Sequence, residues 1–169
     1  MPGTDPVCTV PADRLPSAAR GGPVSHALSR VARLHRIAAG RLLRELGLHP
    51  GQEFLMMALW DCGPARQSVL IERLGLDPST VTKMLQRLEQ CGFVHRRPDP
   101  DDRRAVVVEP TEKGEELRSA VEGVWRDLEE RSLSGLAPAE RADLSRLLAR
   151  LEENLCPEAG ECAEPGTAC

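Results

Sequence analysis

The feature that most constrains this chain is a pair of amphipathic segments with almost nothing between them. In the stretch from Gln67 to Leu74, Val69, Leu70 and Leu74 share an apolar stripe at helical spacing, with Ile71 alongside. Gly75 follows, where a helix end favours a residue that tolerates positive φ. Beyond Leu76 stands Asp77, a good N-cap, and then Pro78, whose missing N–H costs nothing in a first helical turn. The helix predicted from there puts Val81, Met84, Leu85 and Leu88 on one face. Ser79, Thr82, Lys83, Gln86 and Gln90 lie on the opposite face, with Thr80 and Arg87 on its flank. Two helices joined by so short a Gly-containing turn form a helix-turn-helix. The outer stripe suits the base edges of a major groove, although an ordinary solvated helix face would carry the same letters.

The next residues narrow the choice. Phe93 and Val94 lead into a strand, and Ala105 to Val108 form a second run rich in β-branched residues. Between them, Pro98 to Arg104 holds two prolines, three aspartates and two arginines, too polar to be packed and expected to project into solvent. Asp99, Asp101 and Asp102 would repel phosphate if left free. They are expected to pair with some of Arg87, Arg96, Arg97 and Arg103, leaving one arginine to point outward. The fold class is thus mainly α with a small β-hairpin wing. A helix can enter a major groove while an arginine on such a wing enters the adjacent minor groove. The candidate DNA contacts are Ser79, Thr80, Thr82, Lys83, Gln86 and Arg87 on the helix and Arg103 and Arg104 on the loop. A solvated hairpin with weak internal ion pairs is the alternative.

Residues 67–114 resemble the winged helix-turn-helix of the MarR family of bacterial transcriptional regulators. The resemblance is carried by Val81-Thr82-Lys83-Met84-Leu85-Gln86-Arg87-Leu88-Glu89, by Gly92-Phe93-Val94, by Asp101-Asp102-Arg103-Arg104 and by Thr111-Glu112-Lys113-Gly114. It extends over roughly residues 24–155, resting outside the core on helix order and length. It implies a two-fold dimer built from the terminal helices, and it aligns Arg104 with the wing-tip arginine. Arg103 is then expected to pair with Asp99 at the loop base. Pro110 stands where the family more often has leucine, and Ala137 where a Ser or Thr cap is common.

The flanking segments read as helices. Pro23 to Leu46 carries Leu28, Val31, His35, Ala38 and Leu42 on one stripe. Glu112 to Leu133 carries Leu117, Val121, Val124 and Leu128, and Ala139 to Leu155 carries Leu144, Leu147, Leu148, Leu151 and Leu155. None is expected to be needed by a small winged core, so all are read as a helical dimerisation region, or else as a single-chain helical subdomain. A homodimer suits a pseudo-palindromic double-stranded operator. Domain bounds follow: a flexible arm over 1–22, the winged domain with its dimerisation helices over 23–155 (DNA-reading module about 50–110), and a flexible Cys-containing tail over 156–169.

Net charge is −4, which fits poorly with DNA binding until it is divided: residues 1–76 sum to +3, 77–104 to +1 and 105–169 to −8. Phosphate attraction is local on the scale of a Debye length, about 8 Å, so acid held far from the duplex does little harm. With only four aromatic residues and no Tyr, stacking on single strands is disfavoured. No HExxH, paired CxxC, GxGxxG, GxxxxGK[ST] or GxSxG occurs, so no enzyme, metal or cofactor is expected.

The resemblance implies a small-molecule site where the dimer body joins the DNA module, with His35, Met56 and Trp60 as candidate effector contacts. Met56 and Trp60 are read on the surface of the helix that carries Leu55, Ala58, Leu59 and Cys62, a helix apolar on more than one side. Packing explains Trp60 equally well, and a satisfied interface histidine explains His35. Cys62 and Cys91 read as small core residues. Cys156, Cys162 and Cys169 are candidates for a redox switch, against mobile thiols without a role. No signal peptide or membrane-length apolar run is read, which points to the cytoplasm, at the nucleoid when DNA-bound, and to reduced thiols. A winged-helix protein-interaction module that never touches DNA remains the alternative function.

Overall fold

The structure, a computed structural model, describes residues 16–159. Six helices and three strands follow in order: α1 (Pro23–Glu45), α2 (Gln52–Cys62), β1 (Ala65–Arg66), α3 (Gln67–Leu74), α4 (Pro78–Gln90), β2 (Val94–Pro98), β3 (Val106–Pro110), α5 (Glu112–Ser132) and α6 (Pro138–Ala159). No helix among the described residues is long and apolar enough to cross a membrane. The chain divides into two compact units after Ile37. In the described part of the first, a 3-10 turn at Ser17–Ala19 precedes the opening turns of α1, on which Val24, Val31, Leu34 and Ile37 are exposed, Val31 by 62%.

The second unit holds the winged core. The expected signals work locally: Gly75 ends α3 at φ 59°, and Asp77 caps α4 by accepting the Thr80 N–H. Leu70 of α3 and Val81, Leu85 and Leu88 of α4 are buried, while Met84 is half-buried. Val69 departs from the expected stripe and is 49% exposed, because the eight residues of α3 bury one narrow face only.

Three expectations are corrected. The ribbon has three strands in the order β1-β3-β2, so β3 is central; Ala65 pairs with Val108 and Arg66 with Val107, while Val94 to Pro98 run antiparallel to Pro110 to Val106. Met56 is fully buried rather than on the surface, since α2 lies against α3, β3 and α5 and is enclosed on several sides. Helix α5 belongs to the winged core: Leu117, Val121 and Leu128 are buried in it. Trp60 ties α5 down further, its indole Nε1–H donating to the Gly114 carbonyl at 3.0 Å.

The two departures noted in sequence are absorbed. Pro110 ends β3 immediately before Thr111, whose hydroxyl caps α5 by accepting the Gly114 N–H at 3.1 Å. At α6 the missing Ser or Thr cap is replaced from within the helix, where Glu140 accepts the Ala137 N–H at 2.7 Å. Helix α6 buries no side chain among the described residues and exposes Leu147, Leu148 and Leu155.

Candidate nucleic-acid interface

The outer face of α4 begins at its cap. The Asp77 carboxylate accepts the Ser79 hydroxyl at 2.6 Å, the Thr80 hydroxyl at 2.5 Å and the Thr80 N–H at 2.9 Å. Those bonds, the Ser79 hydroxyl first, hold its carboxyl well below the usual range. The Thr82 hydroxyl donates to the Pro78 carbonyl at 2.7 Å and accepts the Gln67 amide at 3.0 Å. One turn on, Lys83, Gln86 and Arg87 are exposed.

The wing is braced in a way the sequence did not reveal. Asp99 is buried at the loop base and accepts the Asp101 and Asp102 N–H groups at 2.8 and 3.3 Å. Its charged partner is Arg66 of β1, at 2.6 Å, rather than the expected Arg103. Arg96 and Arg97 take no aspartate either. Arg96 pairs with Glu89 of α4 at 2.5 Å and Arg97 with Glu109 across the ribbon at 3.2 Å. The reason is register: β2 side chains lie over α4 and β3, not over the loop beyond their end. Arg66 was missed because a two-residue strand has no periodicity to read. Asp102 turns back to accept the Arg104 N–H at 3.0 Å. Arg103 and Arg104 are therefore both exposed, and among the described residues neither they nor Lys83 and Arg87 form an ion pair.

The bonds to Asp99, chiefly the Asp101 N–H and then Arg66, keep its carboxyl below the ordinary aspartate range. Its folded value is thus below its unfolded one, near 3.9. The stabilisation it supplies is present above the unfolded value and lost as pH falls through the folded one. In an acid titration followed by NMR, the Asp101 and Asp102 amides should keep their wing shifts through the ordinary carboxylate range and lose them only below it. Asp99→Asn should weaken the wing already at neutral pH and flatten that acid transition. An unchanged transition in the variant would mean that Asp99 does not hold the loop.

The other candidate residues are dispersed or withdrawn. Of the three expected at an effector, Met56 is enclosed in the core and Trp60 is half-buried with its N–H engaged; His35 is a half-buried residue of α1. Cys91 is exposed rather than in the core, because it caps the end of α4 beyond the last buried turn. Cys62 is disulfide-bonded, against the expectation of a reduced core thiol. Cys156 lies within α6; Cys162 and Cys169 fall outside the described residues.

A helix-turn-helix clamped to an arginine-tipped three-stranded ribbon defines a winged-helix protein. The sequence profile of the MarR family matches residues 48–106. NicR of Pseudomonas putida, an HTH-type transcriptional repressor, is 32% identical over 128 residues, 76% of this chain and 81% of NicR. Apo MarR from E. coli superimposes with a TM-score of 0.68 at 25% identity, covering 76% of this chain and 96% of MarR. Bordetella bronchiseptica BpsR, whose structure concerns regulation of DNA binding by 6-hydroxynicotinic acid, gives a TM-score of 0.68 at 26% identity, covering 76% of this chain and 98% of BpsR. The chain belongs to the MarR family, and with it to the winged-helix regulators of transcription.

Proposed function

We propose that the protein is a homodimeric repressor that binds a pseudo-palindromic double-stranded operator, with α4 in the major groove and the wing in the adjacent minor groove of each half-site. The observation that carries this reading is the division of labour among the cations. Arg66, Arg96 and Arg97 are tied to carboxylates inside the winged core, whereas Lys83, Arg87, Arg103 and Arg104 face outward without an acid partner among the described residues. Ser79, Thr80, Thr82, Lys83, Gln86 and Arg87 face the bases and nearby phosphates, while Arg103 and Arg104 serve the wing. NicR is a repressor and BpsR binds DNA under control of a small aromatic acid, which supports a ligand-controlled repressor.

The test is a salt titration on a selected operator. Lys83→Ala should lose discrimination between the operator and a mutated one by about 1–3 kcal/mol. Arg104→Ala should lower the salt slope by about one unit and reduce the preference for A·T-rich flanks. Arg103→Ala should act on the same slope, since Arg66 rather than Arg103 holds Asp99. Unchanged affinity and slope in all three variants would remove DNA from this surface.

A further inference from the structure

We propose that Asp77 is a specificity-determining positioning residue: by taking the hydroxyl protons of Ser79 and Thr80 it leaves both hydroxyls as acceptors, so that they select an amino group, adenine N6 or cytosine N4, in the major groove. The inference deepens the reading of α4 as the recognition helix and rests on it.

An ionised carboxylate can only accept, and a hydroxyl has a single proton to give. The Ser79 proton goes to one Asp77 oxygen and the Thr80 proton to the other, at 2.6 and 2.5 Å. The carboxyl is held below its usual range by these same bonds, so it remains the acceptor at neutral pH. Each hydroxyl then keeps lone pairs and no proton. Thr82 is in the same condition, its proton spent on the Pro78 carbonyl and one lone pair taken by Gln67.

The first turns of α4 therefore expose no free hydroxyl donor. Donors begin further along, at Lys83, Gln86 and Arg87, so the helix face runs from accepting to donating along its length. In the major groove the only base donors are the adenine N6 and cytosine N4 amino groups, while guanine and thymine oppose acceptors. Phosphate oxygens also accept only. Ser79 and Thr80 can bond to neither phosphate nor guanine unless a hydroxyl turns away, and that would cost a charged carboxylate one of its three donors inside a closing interface.

The experiment begins with the intact protein and a random duplex pool, from which the half-site is selected. Each adenine in it is then replaced by purine, and each cytosine by 2-pyrimidinone, which remove the amino group alone. The wild type should lose about tenfold in affinity at one or two positions. At those positions Ser79→Ala, Thr80→Val should be indifferent to the analogue. Asp77→Asn keeps an equally good N-cap, but its amide nitrogen donates and so frees a hydroxyl proton. That variant should tolerate guanine or thymine there while selecting the rest of the half-site unchanged, a shift that mere loss of helix stability would not produce.

A selected half-site whose Ser79- and Thr80-dependent positions are guanine or thymine would overturn the proposal and leave the recognition helix standing. So would an analogue scan of the wild type that is flat at those positions, a result that needs no variant to fold. Failure to select any sequence would overturn the DNA reading and the proposal together.

Discussion

Gly114→Ala is expected to destabilise the winged core strongly. Gly114 lies in the first turn of α5, where the helix crosses the end of the α4–β2 connection. A Cβ there would overlap the Phe93 carbonyl oxygen and stand 3.0 Å from the carbonyl carbon and 3.3 Å from Met56 Cε. The first two are backbone atoms, which cannot swing aside as a side chain can. The same glycine offers its N–H to Thr111 and its carbonyl to Trp60, so displacing it disturbs the α5 cap and the α2–α5 hydrogen bond at once. Overpacking of this kind costs about 3 kcal/mol or more when the neighbours are rigid. Denaturant unfolding should show that loss, and thermal melting a fall of roughly 10 °C. A variant melting with the wild type would mean that α5 can lift from Phe93 without loss.

Charging the outer face of α6 should leave the fold intact and disable the regulator. Leu147 and Leu148 are 48% and 45% exposed, and α6 buries nothing among the described residues. A leucine-rich helix with no buried face among the described residues is the natural place for the second copy. Leu147→Glu, Leu148→Glu should therefore melt like the wild type when scanned at concentrations where both are monomeric. In sedimentation it should be a monomer where the wild type is a dimer. Losing the linked second half-site should weaken operator binding by about 10²- to 10⁴-fold. A charged variant that still sedimented as a dimer would put the interface elsewhere, and one that bound operator fully as a monomer would refute the two-fold arrangement.

Where local chemistry decided the structure, it was legible in the letters. Gly75, Asp77 and Pro78 each have one conformational use, and together they place the turn and the start of α4. What escaped was decided by partners distant in sequence. Ala65 and Arg66 become a strand only because Val107 and Val108 are there to pair with them. Asp99 had several arginines within a few residues, yet its partner lies thirty-three positions upstream. Met56 reads as a surface residue of a helix apolar on more than one side, because nothing in α2 says that α5 will cover it. Helix α5 itself has the same apolar spacing as α6, and only packing tells the one that is buried from the one that is bare.

The two arginine clamps have a consequence for control. Glu89–Arg96 ties the ribbon to α4, and Asp99–Arg66 ties the loop to the front of α3, so the wing is linked to the reading helices at two points. For the repressor proposed above, a ligand that parted the wing from the recognition helix would have to break both links. A ligand that instead changed the separation or tilt of the two copies would act like opening a pair of callipers, with each head left unaltered. An operator whose halves are spaced to suit the new setting should be bound more tightly in the presence of inducer, not less.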